Sequence, residues 1–190
     1  GRARLWDPAT GHEIRRFDGH SHWVNAVAFA PDGRALATGS EDGTAILWDP
    51  ATGYETRRFE GHSAEVTAVA FAPHGRALAT GSWDRTARLW DPVTGRETCR
   101  FEGNSGIVFA VAFASDGRAL AAGSEDGRAR LWDPATGHEI RRFDGHSHWV
   151  NAVAFAPDGR ALATGSEDGT AILWDPATGY ETRRFEGHSS

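Results

Sequence analysis

The chain has 190 residues, 39% of them hydrophobic and 24% charged, with a formal net charge of −6; this suits one folded domain with a sizeable core and argues against disorder. A negative balance excludes nucleic acid as the expected partner, because phosphate-backbone binding needs a basic face. The longest run free of charges and turn residues, around residues 24–30, is far short of the ~20 apolar residues of a spanning helix, so no membrane partner is expected.

A single cysteine, Cys99, leaves no internal disulfide, and with no secretory signal at the start the expected compartment is the cytoplasm. All 20 basic residues are arginines, and Lys and Met are absent. The missing Met points to an excised segment or a processed product.

Self-similarity dominates the chain. Trp-Asp pairs stand at Trp6-Asp7, Trp48-Asp49, Trp90-Asp91, Trp132-Asp133 and Trp174-Asp175, each 42 residues after the last. Residues 19–60 and 61–102 differ at 10 of 42 positions, whereas residues 1–63 recur unchanged as 127–189. A 126-residue super-repeat of three units follows.

Within one unit, the β-branched and aromatic residues of 24–30 predict a strand, ended by the turn Pro31-Asp32-Gly33. A second strand over 35–40 runs into Asp42-Gly43, a dipeptide that accepts the positive φ of a tight hairpin. A third, over 44–48, stops at Asp49-Pro50, because Pro cannot donate to a ladder. The fourth, over 54–59, is charged like a protected edge strand.

With Gly19-His20, the Asp42 turn, Trp48-Asp49 and the period together, the chain resembles the WD-repeat β-propeller family over essentially its whole length. The resemblance implies an all-β fold of four-stranded antiparallel blades, strands a to d running outward from a central channel. Residues 1–18 then supply a half blade of strands c and d. Blades follow at 19–60, 61–102, 103–144 and 145–186, giving four and a half per chain, and 187–190 open a further repeat.

The resemblance also implies a hydrogen-bonded tetrad in each blade: His20, Thr38, Asp42 and Trp48; His62, Thr80, Asp84 and Trp90; His146, Thr164, Asp168 and Trp174. The blade 103–144 departs from it with Asn104 and Ala122 beside Asp126 and Trp132, so no such relay is expected there.

Catalysis is set aside. A His-Asp-Thr grouping repeated in three blades, with its hydroxyl on an internal strand and no Gly-x-Ser-x-Gly elbow, reads as structure rather than as a hydrolase. His20-x-His22 has no third ligand at a sensible spacing, and phosphate loops of the Lys-containing type cannot exist, so no metal and no cofactor are expected.

Differences between units are more informative. They cluster at Trp23/Glu65/Ile107/Trp149, Asn25/Thr67/Phe109/Asn151 and Glu41/Trp83/Glu125/Glu167, positions that in similar proteins ring the face where partners dock. Large aromatics there suit the anchors of a protein or peptide interface; drift at exposed positions is the competing reading, and the further variable sites Ile46/Arg88/Arg130 and Tyr54/Arg96/His138 favour it.

Two functions are open. One is a non-catalytic scaffold binding protein or peptide partners on one propeller face. The other is an engineered or excised repeat array that self-assembles, with no natural ligand. Eighteen strands fall short of closure, so a homodimer is expected, with a ring of eight blades and displaced N-terminal hairpins, or of nine.

Overall fold

The computed structural model describes residues 1–187; residues 188–190, within the stretch read as the opening of a further repeat, lie outside the described residues. Eighteen strands and no helix occur among the described residues. A two-stranded sheet, β1 (Arg2–Trp6) and β2 (Glu13–Asp18), precedes four sheets of four strands, each an antiparallel meander in chain order. The first is β3 (Val24–Phe29), β4 (Leu36–Ser40), β5 (Ala45–Trp48) and β6 (Glu55–Phe59). The second is β7 (Val66–Phe71), β8 (Leu78–Ser82), β9 (Ala87–Trp90) and β10 (Glu97–Phe101). β11 (Val108–Phe113), β12 (Leu120–Ser124), β13 (Arg128–Trp132) and β14 (Glu139–Asp144) form the third, and β15 (Val150–Phe155), β16 (Leu162–Ser166), β17 (Ala171–Trp174) and β18 (Glu181–Phe185) the fourth.

Turn chemistry separates the strands. Gly33 (φ 70°) and Gly43 (φ 80°) take the left-handed conformations that their turns require. In the second blade Arg85 stands where the others have Gly, and it is forced to φ 67°.

The core lies between sheets rather than within one. β4, β8 and β12 are buried along their whole length, because a small residue on each lets the next blade approach: a Cβ on Gly39 would lie 2.6 Å from Val66 Cγ1, and one on Gly81 2.8 Å from Val108 Cγ1. Farther out, Phe59 packs on Trp90 and Phe101 on Trp132, with ring centroids 5.6 Å apart in each pair. These aromatic pairs bury the largest side chains and carry much of the hydrophobic stabilisation, at roughly 25 cal/mol per Å² of apolar surface removed from water.

Ladder registers are regular except at two places in each blade. Pairing slips between Val24 and Ala26, leaving Asn25 as a bulge, and the same slip occurs at Phe109 and Asn151. A bulge re-aims a side chain. The variable position of strand a is therefore directed differently from its neighbours, a feature that alternation of apolar residues does not announce.

Candidate functional site

The His of each loop before strand a meets strand b and the b–c turn in the blades 19–60, 61–102 and 145–186. His62 Nδ1 lies 2.8 Å from Asp84 Oδ2, His62 Nε2 lies 2.6 Å from Thr80 Oγ1, and the Trp90 indole N–H donates to Thr80 Oγ1 at 2.9 Å. The set at His20, Thr38, Asp42 and Trp48 has the corresponding distances 2.9, 2.7 and 2.8 Å, and that at His146, Thr164, Asp168 and Trp174 has 2.9, 2.7 and 2.9 Å. An acceptor-only carboxylate and a donor-only indole fix the polarity of the chain. Indole N–H gives to the Thr oxygen, Thr O–H gives to Nε2, and Nδ1–H gives to the carboxylate.

Electrostatics agree with a neutral imidazole. Burial lowers the His20 and His62 pKa values below the usual 6.5 despite the adjacent carboxylates. Burial works against ionisation of Asp42, but hydrogen bonds from Thr44, His20 and the Ser21 N–H outweigh it and hold the carboxyl down at about 2. Asp84 is pushed lower still by bonds from His62 and Thr86 over the same opposition.

These residues cannot serve as a nucleophile and base. Thr38, Thr80 and Thr164 are buried, and each hydroxyl is engaged on both sides, so no substrate atom reaches it. His22 is exposed while His20 is buried in its tetrad, so the pair shares no ligand position.

The blade 103–144 is closed by a device that sequence reasoning missed. The Arg130 guanidinium, only 2% exposed, donates to Asp126 Oδ2 at 2.6 Å, to Asp126 Oδ1 at 3.2 Å and to Asn104 Oδ1 at 3.1 Å. In the blade 61–102 Arg88 similarly joins Asp84 at 3.2 Å to Glu97 at 2.9 Å. The equivalent Ile46 and Ile172 are buried and apolar. Drift at exposed positions therefore does not describe the site Ile46/Arg88/Arg130: it is interior, and its arginines are paired. The loss of both the His and the Thr in the same unit that gains Arg130 was the available signal, blurred because Arg88 accompanies an intact tetrad.

The variable positions of strands a and b meet at one end of every blade. Glu41 N–H donates to Trp23 O at 3.0 Å, Trp83 N–H to Glu65 O at 3.0 Å, Glu125 N–H to Ile107 O at 2.8 Å, and Glu167 N–H to Trp149 O at 3.0 Å. Each blade thus sets one carboxylate beside one large apolar residue, and in the blade 61–102 the order is reversed. Trp23, Trp83 and Trp149 are exposed at 75%, 48% and 38%.

Residues at the bulge do something else as well. Asn25 Nδ2 donates to Val66 O of the next blade at 3.4 Å, Thr67 Oγ1 donates to Val108 O at 2.5 Å, and the Phe109 ring packs 5.5 Å from Trp149. They join blades: Thr67 and Phe109 are half-buried in doing so, whereas Asn25 is exposed, as is Asn151. Cys99 stands at the position of Arg57, whose guanidinium donates to Val93 O of the next blade at 2.6 Å. Its thiol faces Gly137 instead, and burial raises its pKa.

Stacked four-stranded meanders, tied internally by His-Thr-Asp-Trp tetrads, define a WD-repeat propeller array. The chain belongs to the WD40 family of WD-domain, G-beta repeats, whose repeats match residues 11–49, 53–91, 95–133 and 137–175. Each matched repeat ends at a Trp-Asp pair, so it begins on or just before the outer strand of one blade and finishes on strand c of the next. The chain is similar to the guanine nucleotide-binding protein subunit beta of Arabidopsis thaliana, 54% identical over 43 residues, which are 22% of this chain and 11% of that protein. It is also similar to the nuclear distribution protein PAC1 of Arthroderma otae, 43% identical over 42 residues, 22% of this chain and 9% of that protein. These matches span about a tenth of the relatives' own length.

Proposed function

We propose that the chain is a non-catalytic scaffold that binds a protein or peptide on the face formed by the a–b ends of its blades. The observation that carries this reading is the repeated pairing of a carboxylate with a large apolar side chain, Trp23 with Glu41, Glu65 with Trp83 and Trp149 with Glu167. Aromatics supply packing area, and carboxylates of one sign steer a segment bearing arginine or lysine. Relatives named as a subunit and as a nuclear distribution protein support a role in assemblies. Screening a randomised peptide array should enrich basic and aromatic residues. Trp83→Ala should weaken the selected peptides by at least ~2 kcal/mol while leaving the fold intact. Unchanged affinity of that variant would end the docking-face reading.

Self-association is a second reading, supported by apolar surface left uncovered on the outermost sheets among the described residues. Val27 is 60% exposed at one end, whereas its equivalents Val69 and Val111 are each 9% exposed between blades. Such faces invite a second copy.

A further inference from the structure

Blade 61–102 differs from blade 19–60 at 10 positions, and three of them, Glu65, Trp83 and Arg85, gather at the end of the blade that carries the docking face. Trp83 N–H donates to Glu65 O at 3.0 Å, and Arg85 N–H donates to Ser82 O at 3.2 Å, which closes the b–c turn. The other three blades place Trp23, Ile107 or Trp149 on strand a and spell the turn Glu-Asp-Gly. Here strand a carries the carboxylate and the turn reads Trp-Asp-Arg. Asp84 is kept because His62 and Arg88 bind it. The residues on either side of it have lost one negative charge and gained one positive charge.

Nothing in the fold repays Arg85. Its turn position takes a left-handed φ, 67° at Arg85 against 80°, 77° and 80° at Gly43, Gly127 and Gly169, a conformation that a side chain makes costly. The place is also crowded: a Cβ on Gly43 would lie 3.4 Å from His62 O, and one on Gly127 would lie 3.2 Å from His146 O. Yet Arg85 is exposed, and only its backbone is engaged, the N–H by Ser82 O and the carbonyl by Asn104 Nδ2 at 3.4 Å. Among the described residues no hydrogen bond or ion pair holds its guanidinium. Strain that brings the fold no contact is characteristic of a side chain kept for a ligand.

Glu65 is its counterpart on the other side of Trp83. Its carboxylate has no hydrogen-bond or ion-pair partner among the described residues, whereas Glu125 Oε2 accepts from Ile107 N–H at 3.1 Å and Glu167 Oε2 lies 3.1 Å from His148 Nδ1. Glu41 is unengaged too, but Gly43 beyond it supplies no cation. Blade 61–102 therefore shows two free charges of opposite sign with an aromatic ring between them.

We propose that this blade fixes the register of the bound segment by reading a basic and an acidic residue two positions apart, the basic one on Glu65, the acidic one on Arg85, with Trp83 packed against the segment between them. This rests on the docking face proposed above. In an extended segment residues i and i+2 point to one side about 7 Å apart, and neighbouring strands of a sheet lie about 4.8 Å apart. Such a pair therefore reaches from strand a across strand b to the b–c turn. The acidic group is a carboxylate: one guanidinium pairs with it in bidentate fashion, whereas a phosphate would bring about −1.5 to −2 charges to a single cation with Glu65 close by. Nearly identical blades would otherwise accept one segment in several registers. A slip by one blade carries the acidic residue from Arg85 to a glycine beside Glu41 or Glu125, so that like charges meet and the wrong register is rejected.

The test is a randomised peptide array probed with the labelled full chain and with Arg85→Gly, followed by fluorescence anisotropy on one selected peptide and its acid-to-amide variant. Selected peptides should carry Asp or Glu two positions from Arg or Lys. Arg85→Gly relieves the backbone and keeps the fold. It should weaken the selected peptide about fivefold while binding the amide variant as the parent does. Enrichment of basic and aromatic residues with no acidic residue at that spacing overturns the register and leaves the docking face standing. So does an equal change in affinity for the acid and amide peptides. An array that enriches no sequence overturns the docking face and the register with it.

Discussion

Replacing Thr80 by Val isolates the polar content of one tetrad without emptying space. The Thr80 oxygen is buried, accepts from Trp90 at 2.9 Å and lies 2.6 Å from His62 Nε2. Removing it strands a buried indole N–H and a buried imidazole nitrogen, each costing about 1–3 kcal/mol. The extra methyl returns up to ~0.8 kcal/mol of apolar burial, so a net loss of about 1–5 kcal/mol is expected. Thr80→Ser keeps the hydroxyl and should lose only about 1 kcal/mol, through the missing methyl. Urea unfolding followed by tryptophan fluorescence reads both, with the midpoint shift interpreted at constant slope. Hydrogen exchange at Leu89 and Trp90 localises the effect. A Thr80→Val loss below ~0.5 kcal/mol, or equal losses for Val and Ser, would refute the claim that these bonds hold the blade.

Arg85→Gly should stabilise the chain by up to about 1 kcal/mol in the same unfolding assay, because the φ of 67° at Arg85 burdens a residue with a Cβ. Arg130→Ile should cost at least ~2 kcal/mol by leaving Asp126 and Asn104 without their buried cation. Adding Asn104→His and Ala122→Thr rebuilds the set found at His146 and Thr164, so the triple variant should recover most of that loss by urea midpoint. Lower pH should reduce the melting temperature in two stages. His20 and His62 have folded pKa values below 6.5, so the unfolded state binds more protons and stability is lost as pH falls from 6.5 through the folded values. For Asp42, lowered from 3.8 to about 2, stability is present above 3.8 and lost as pH falls toward 2. A melting temperature flat from pH 7 to 5 would contradict the first stage.

The architecture was legible because each unit states it again. Turn residues at Pro31-Asp32-Gly33 and Asp42-Gly43 punctuate β-branched runs, and the structure places β3, β4 and β5 within a residue or so of the expected limits. The tetrads came from resemblance and motif, since no local pattern brings His20 to Thr38, 18 positions further along the chain. Arg130 was not legible: an arginine on a strand reads as surface, and only packing against Asn104 and Asp126 reveals it as interior. Thr67 reads as an exposed position of a docking face because alternation hides the bulge that turns it toward the neighbouring blade, where it is half-buried, whereas Asn25 stays exposed while its amide reaches across. Trp23 and Trp149 have identical local sequences, yet Trp149 is half as exposed because Phe109 lies against it. That difference belongs to the neighbour and cannot be read from either segment alone.

The close approach at Gly39, Gly81 and Gly123 also makes each blade a wedge. Near the inner strands two sheets are separated by little more than a valine side chain, whereas a tryptophan and a phenylalanine hold them apart farther out. Thickness that grows with radius is curvature, so the angle between successive blades is set by the ratio of glycine and valine inside to aromatic rings outside. Thickening the narrow edge with alanine at the three glycines would flatten the arc, and more blades would then be needed to turn a full circle.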